Sequence, residues 1–226
     1  SGGNDNSVRL WDPAAGRPLH KFLGHSEGVR ALATGRDGGA LVSASPEGVA
    51  KVWDARSPAQ PRTFEAPAAV PFGGATACVA LSGDGRLVAS GHYDGVAHVW
   101  DAATGALLHR LKASDSGVRA LAFSPDGRRL AASAGEPRPA RGEVVVWDLA
   151  DGRPVATYRA HGEVVDAVAF LDDRRIASAG GDGKVHVWDS ATAGRLMILE
   201  GHGEGVRRLA LSGDGGTLAS GSDDGT

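Results

Sequence analysis

Residues His161–Asp189 read HGEVVDAVAFLDDRRIASAGGDGKVHVWD. Three short apolar runs lie in this stretch: VDAVAF from Val165, IASAG from Ile176 and KVHVWD from Lys184. Each alternates with period two, the mark of a strand, because successive side chains of an extended chain point to opposite faces. Asp182-Gly183 separates the second run from the third, and its glycine supplies the positive φ of a tight hairpin turn. A fourth run, RLMILEG from Arg195, follows.

The unit recurs. All five tryptophans (Trp11, Trp53, Trp100, Trp147 and Trp188) precede Asp and follow Val or Leu, at spacings of 42, 47, 47 and 41 residues. By chance, five such Trp-Asp pairs would arise on the order of a few times in a million. His25, His161 and His202 each stand 14 residues after a tryptophan, and four residues later Val29, Val165 and Val206 open an apolar run. Turns of the type Ser82–Gly85 (SGDG), Ser124–Gly127 (SPDG) and Ser212–Gly215 (SGDG) follow such runs. Four short strands per period imply four-stranded antiparallel sheets arranged radially, about five sheets' worth in all. No segment carries a helical stripe of period 3.6, so the fold class is all-β.

Composition agrees. The chain has 226 residues, 42% hydrophobic and 23% charged, which suits one folded domain and excludes a disordered chain. Glycine numbers 34, far above the usual share of about 7%, as many tight turns require. A net charge of −3 argues against bulk capture of nucleic acid or an anionic membrane, and no apolar run reaches membrane-spanning length. The lone Cys78 excludes an intrachain disulfide framework and makes the cytoplasm the default setting. Arginine far outnumbers lysine, which reads as a GC-rich coding bias.

The pattern GH…VxxLAFSPDG…LASGSDDG…VxVWD resembles the WD-repeat β-propeller family over the whole chain, with repeats ending near Asp12, Asp54, Asp101, Asp148 and Asp189 and a partial repeat over 190–226. The resemblance implies a ring of four-stranded blades that displays peptide-binding surfaces and performs no chemistry. Together with the coding bias it implies a bacterial multidomain protein. It further implies a buried hydrogen-bonded tetrad of His, Ser, Asp and Trp in each blade. Such a set needs mutual partners because a buried indole N–H, hydroxyl, imidazole or carboxylate is costly alone. One repeat carries the full set: His161, Ser178, Asp182 and Trp188. Another has His25, Ser43 and Trp53 but Glu47 in place of Asp; a third has Ser90, Asp94 and Trp100 but Phe72 in place of His. The repeat ending at Trp147 has Ser114 for His, keeps Ser133, and loses its Asp to the insertion Gly135–Gly142. Three of the four internal tetrads are thus expected to be degraded.

Catalytic readings fare poorly. Recurring Ser, His and Asp invite a hydrolase triad, but they repeat at structural spacing and no nucleophile elbow is present. No metal or cofactor is expected: His98 and His186, two residues before their tryptophans, and His20 and His109 on fourth strands read as solvent-facing. Gly180–Val185 lacks the spacing and following helix of a phosphate loop. Cys78 reads as a small buried hydrophobe.

The resemblance places the residue after each first-strand valine on the upper rim of the central channel: Arg30, Ala77, Arg119, Asp166 and Arg207. The residue before the turn Asp shares that face, giving Tyr93, Gly181 and Asp223. Three arginines suit bidentate carboxylate or phosphate recognition, Asp166 is expected to pair with one of them, and Tyr93 adds an aromatic anchor. The expected function is a non-catalytic scaffold binding a protein or peptide, an acidic one on this reading. A propeller-based hydrolase and an isolated or engineered repeat array are the alternatives. Ser1–Ser7 and Ser220–Thr226 occupy the same phase of the repeat. Either the chain is a piece of a larger propeller with open, self-associating strand edges, or five blades close and Trp11 completes a split tetrad with His202, Ser220 and Asp224.

Overall fold

The computed structural model describes residues 1–36, 38–57, 60–65, 75–137 and 140–226. They form twenty antiparallel strands, with no helix among the described residues. Four complete sheets follow one another in chain order. The first contains β3 (Ala31–Thr34), β4 (Ala40–Ala44), β5 (Val49–Asp54) and β6 (Arg62–Glu65). The second contains β7 (Thr76–Leu81), β8 (Leu87–His92), β9 (Val96–Asp101) and β10 (Leu107–Lys112). The third contains β11 (Val118–Phe123), β12 (Arg129–Pro137), β13 (Ala140–Asp148) and β14 (Pro154–His161). The fourth contains β15 (Val165–Phe170), β16 (Arg175–Gly180), β17 (Val185–Asp189) and β18 (Arg195–Leu199). Two-stranded half-sheets flank them: β1 (Ser7–Asp12) with β2 (Arg17–Leu23), and β19 (Val206–Leu211) with β20 (Leu218–Ser222).

The turns behave as the Asp-Gly signals require. Gly85, Gly127 and Gly215 sit at φ of 71°, 70° and 72°, a region open to glycine, and each donates its N–H back to the serine that opens its turn. The first strands β3, β7, β11, β15 and β19 neighbour one another in succession, so each sheet packs its face on the next. Between the second and third sheets lie Val99, Leu111, Val118, Leu121, Leu130 and Trp147; between the third and fourth lie Val144, Tyr158, Phe170, Ile176 and Trp188. Sandwiching on both faces buries the inner strands along their length, as in β17, where every residue is buried, His186 and Asp189 included. This is the blade arrangement of a β-propeller. The insertion Gly135–Gly142 lengthens β12 and β13 to nine residues each, their register running from Arg129↔Asp148 to Pro137↔Ala140.

The split tetrad does not form. Ser1–Gly3 runs along the edge of β1: Ser1 and Arg9 exchange backbone hydrogen bonds at 2.7 Å, Gly3 donates to the Ser7 carbonyl, and Gly2 bridges Val8. That edge is the one β20 would need. Trp11 donates its indole N–H to Ser1 Oγ at 2.9 Å, stays 43% exposed, and is no partner of Ser220.

Candidate functional site

In the fourth sheet the tetrad is complete. Trp188 Nε1–H donates to Ser178 Oγ (3.2 Å), Ser178 meets His161 Nε2 (2.8 Å), and His161 Nδ1 meets Asp182 Oδ2 (2.9 Å). The consistent proton order is indole to hydroxyl to imidazole to carboxylate, which places the His161 proton on Nδ1. The first sheet corrects the expectation of a degraded set. Trp53 donates to Ser43 Oγ (2.7 Å), Ser43 meets His25 Nε2 (2.7 Å), and Glu47 reaches His25 Nδ1 while also accepting the Ser26 N–H (2.9 Å). The extra methylene lets glutamate span the gap. In the half-sheet, His202 joins Ser220 (2.8 Å) and Asp224 (2.9 Å).

The other two sheets are broken differently. Ser90 Oγ is taken by His92 Nε2 at 2.6 Å from its own strand, while Asp94 caps the turn by accepting the Val96 N–H. Phe72, the residue read at the histidine place, lies outside the described residues. Ser133 Oγ is buried with no partner among the described residues, because Ser114 bonds locally to the Ser116 carbonyl. Ser43 and Ser178 are fully buried and offer no nucleophile to solvent, whereas Ser220 of the half-sheet is partly exposed.

Two histidines overturn their sequence reading. His98 and His186 are each only 2% exposed, because the next sheet covers the face of the strand that carries them. Burial holds both imidazoles down at about 4, so both are neutral near pH 7. His98 has no partner for either nitrogen among the described residues. His186 Nδ1 meets Tyr158 Oη at 2.9 Å, and its Nε2 has no partner. The His161 and His186 rings lie face to face, centroids 4.0 Å apart. His109 Nε2 reaches the Leu149 carbonyl (2.9 Å) from a half-buried position. Cys78 is buried and its thiol is pushed up to about 12, so it is inert.

Three of the rim residues, Arg119, Asp166 and Arg207, come together over three sheets. Asp166, 8% exposed, accepts from Arg119 Nη1 (3.2 Å) and from Arg207 Nη1 (2.6 Å). Arg207 continues to Asp223 with Nε (2.8 Å) and Nη2 (2.5 Å). These two bonds put the first-strand rim and the turn residue Asp223 on one face. Hydrogen bonds from Arg207 hold the Asp223 carboxyl below its usual range. The expectation that Asp166 pairs with one arginine is therefore corrected: it binds two, and the four-residue chain Arg119–Asp166–Arg207–Asp223 is neutral. Arg30 is exposed and makes no ion pair among the described residues. Ala77 is half-buried, and Tyr93 is 65% exposed.

The family described as WD domain, G-beta repeat matches residues 16–54, 70–101, 105–148, 152–189 and 194–226. The chain belongs to the WD-repeat family. This WD-repeat chain is 30% identical over 186 residues to target of rapamycin complex subunit LST8 of Saccharomyces cerevisiae, covering 78% of itself and 58% of that protein. It is 29% identical over 185 residues to periodic tryptophan protein 2 of Arabidopsis thaliana, covering 81% of itself and 20% of that protein. With apoptotic protease-activating factor 1 of Rattus norvegicus it shares 27% identity over 187 residues, 78% of the chain and 11% of that protein. The WD-repeat chain thus spans between about a tenth and somewhat over half of these relatives. All three come from eukaryotes, and the bacterial reading drawn from arginine content gains no support from them.

Proposed function

We propose that this WD-repeat chain is a non-catalytic docking platform in the cytoplasm, and that its partner is a protein or extended peptide seated on the rim formed by Arg30, Tyr93, Arg119, Asp166 and Arg207. The observation that carries this reading is Tyr93: it is 65% exposed, packs on Gly117 two residues before Arg119, and holds the repeat position of Asp223, which bonds Arg207; such an exposed tyrosine has the amphipathic character of an interface anchor. A scaffold role fits a relative whose name makes it a subunit of the target of rapamycin complex. Full burial of Ser43 and Ser178 supports a structural rather than catalytic role for those two hydroxyls. The preference for an acidic ligand rests on Arg30 and on the guanidinium donors that Arg119 keeps beyond its bond to Asp166. Fluorescence anisotropy with defined acidic, neutral and basic extended peptides tests it. Acidic peptides should bind, Tyr93→Ala and Arg30→Glu should each weaken them several-fold, and neither should move Tm. Equal binding of all three peptide classes, or affinities untouched by both variants, would reject the rim.

A further inference from the structure

We propose that His161, Asp182 and His186 form a binding site for a borderline divalent transition cation such as Zn2+ or Co2+. One ligand-capable atom from each lies within 4.8 Å of the other two, the one such His/Asp group of three among the described residues. Two imidazoles and one carboxylate are the donor set of nitrogen-preferring divalent metals rather than of Ca2+ or Mg2+.

The remaining atoms of each ligand are already held. His186 presents an unpartnered Nε2 inside a side chain that is 2% exposed, while Tyr158 Oη engages its Nδ1 at 2.9 Å. His161 has Ser178 on Nε2, which leaves Nδ1 as the atom facing Asp182. Asp182 receives the Lys184 N–H on Oδ1 (3.2 Å), leaving Oδ2. Partners on the far atom of every ligand are the arrangement that orients metal ligands and sets their tautomers. On binding, the His161 proton moves from Nδ1 to Nε2, which then donates to Ser178 Oγ, and the Ser178 hydroxyl proton, no longer accepted by Nε2, turns to another acceptor. Nδ1 gains its lone pair, and the metal takes the place of the proton between His161 and Asp182. The half-buried Asp182 gives the approach from solvent. The two imidazoles are 18° from parallel, so ligation in both ring planes requires them to turn about Cβ–Cγ and give up their stack.

Within the repeat, what sets this sheet apart is a histidine at 186 together with His161 and Asp182. Lys51 and Val145 hold the 186 position in the first and third sheets, and His98 holds it in the second, where Phe72 stands at the place of His161. His202 and Asp224 form a pair 2.9 Å apart without a second imidazole. The test is titration of the 226-residue chain with Co2+, read by the visible d–d absorption of a low-coordinate site, and with Zn2+, read by the ring resonances of the histidines. One saturable equivalent is expected, shifting His161 and His186 together. His186→Val should abolish it, and the valine at 145 shows that the repeat accepts this residue. His202→Gln should leave it intact. Binding that does not saturate, that survives His186→Val in a chain with unchanged tryptophan fluorescence, or that vanishes with His202→Gln overturns the site.

Discussion

Tyr158 on β14 lies flat on Trp188 of the following sheet, ring centroids 4.9 Å apart and planes 6° from parallel. Phe22 against Trp53 (5.3 Å, tilted 46°) and Phe64 against Trp100 (5.9 Å, tilted 58°) repeat the pairing without the flat stack, three and two sheets earlier. Each outer strand therefore covers the tryptophan of the next sheet. The tryptophans serve two masters: the indole N–H ties strands within a sheet, and the ring face ties one sheet to its neighbour. Among the described residues no outer strand covers Trp11, which is 43% exposed.

The tryptophans should accordingly differ in what their loss costs. Trp53→Ala and Trp188→Ala remove both a buried ring and the donor to Ser43 or Ser178, at about 3–5 kcal/mol. Trp11→Ala should cost least. Urea midpoints of the three variants check the order. A midpoint for Trp11→Ala as low as that of Trp188→Ala would contradict it.

Glu47 completes a tetrad despite its length. Glu47→Ala strips His25 Nδ1 and the Ser26 N–H of their acceptor and should cost about 1–3 kcal/mol. Glu47→Asp should recover only part, since the shorter side chain cannot serve both. Equilibrium denaturation decides. An alanine variant as stable as the parent would show that the contact does no work.

Burial first, and then the neighbouring His92, hold His98 at about 4, below the 6.5 of an unfolded chain. Between those two values the unfolded state binds a proton that the native state does not, so stability falls as pH drops from about 6.5 toward 4 and levels below. His98→Val removes an imidazole with no partner for either nitrogen. It should raise stability by about 1–2 kcal/mol and flatten the slope in that window. Thermal melts from pH 4 to 7 measure both effects. An unchanged slope would assign the pH dependence to other groups.

Asp166 restrains two guanidinium groups at once. Asp166→Asn leaves Arg119 and Arg207 facing each other, a loss of about 0.5–1 kcal/mol that added salt should shrink, because both arginines are half in solvent. The same substitution frees Arg119 and leaves Arg207 paired with Asp223 alone, and should tighten an acidic peptide. A peptide that binds the variant more weakly would mean that Asp166 itself makes the contact.

Much of the architecture was legible because it is local. Trp-Asp pairs, alternating runs and Asp-Gly turns are properties of a few consecutive residues, and Gly85, Gly127 and Gly215 adopt the φ their turns demand. The tetrad at Trp188 was legible too, since one repeat carried all four residue types in phase. Glu47 was misread as a defect because residue type alone hides the reach of one more methylene. His98 and His186 were misread because alternation gives one face to solvent only when nothing stacks on it, and here a second sheet does.

From its sequence alone this protein is an all-β chain of WD repeats, with the strand boundaries, turns and first-strand rim in place. The tertiary structure alone decided that Asp166 bridges two arginines, that Ser1–Gly3 occupies the edge of β1, and that His186 stacks on His161. Pairing within a strand or turn depends on the chain's own dihedral angles, which neighbouring residues dictate. Contacts between sheets join residues some 40 or more positions apart in sequence, as Arg119 and Asp166 are, and their distances are set by how blades pack rather than by any local preference.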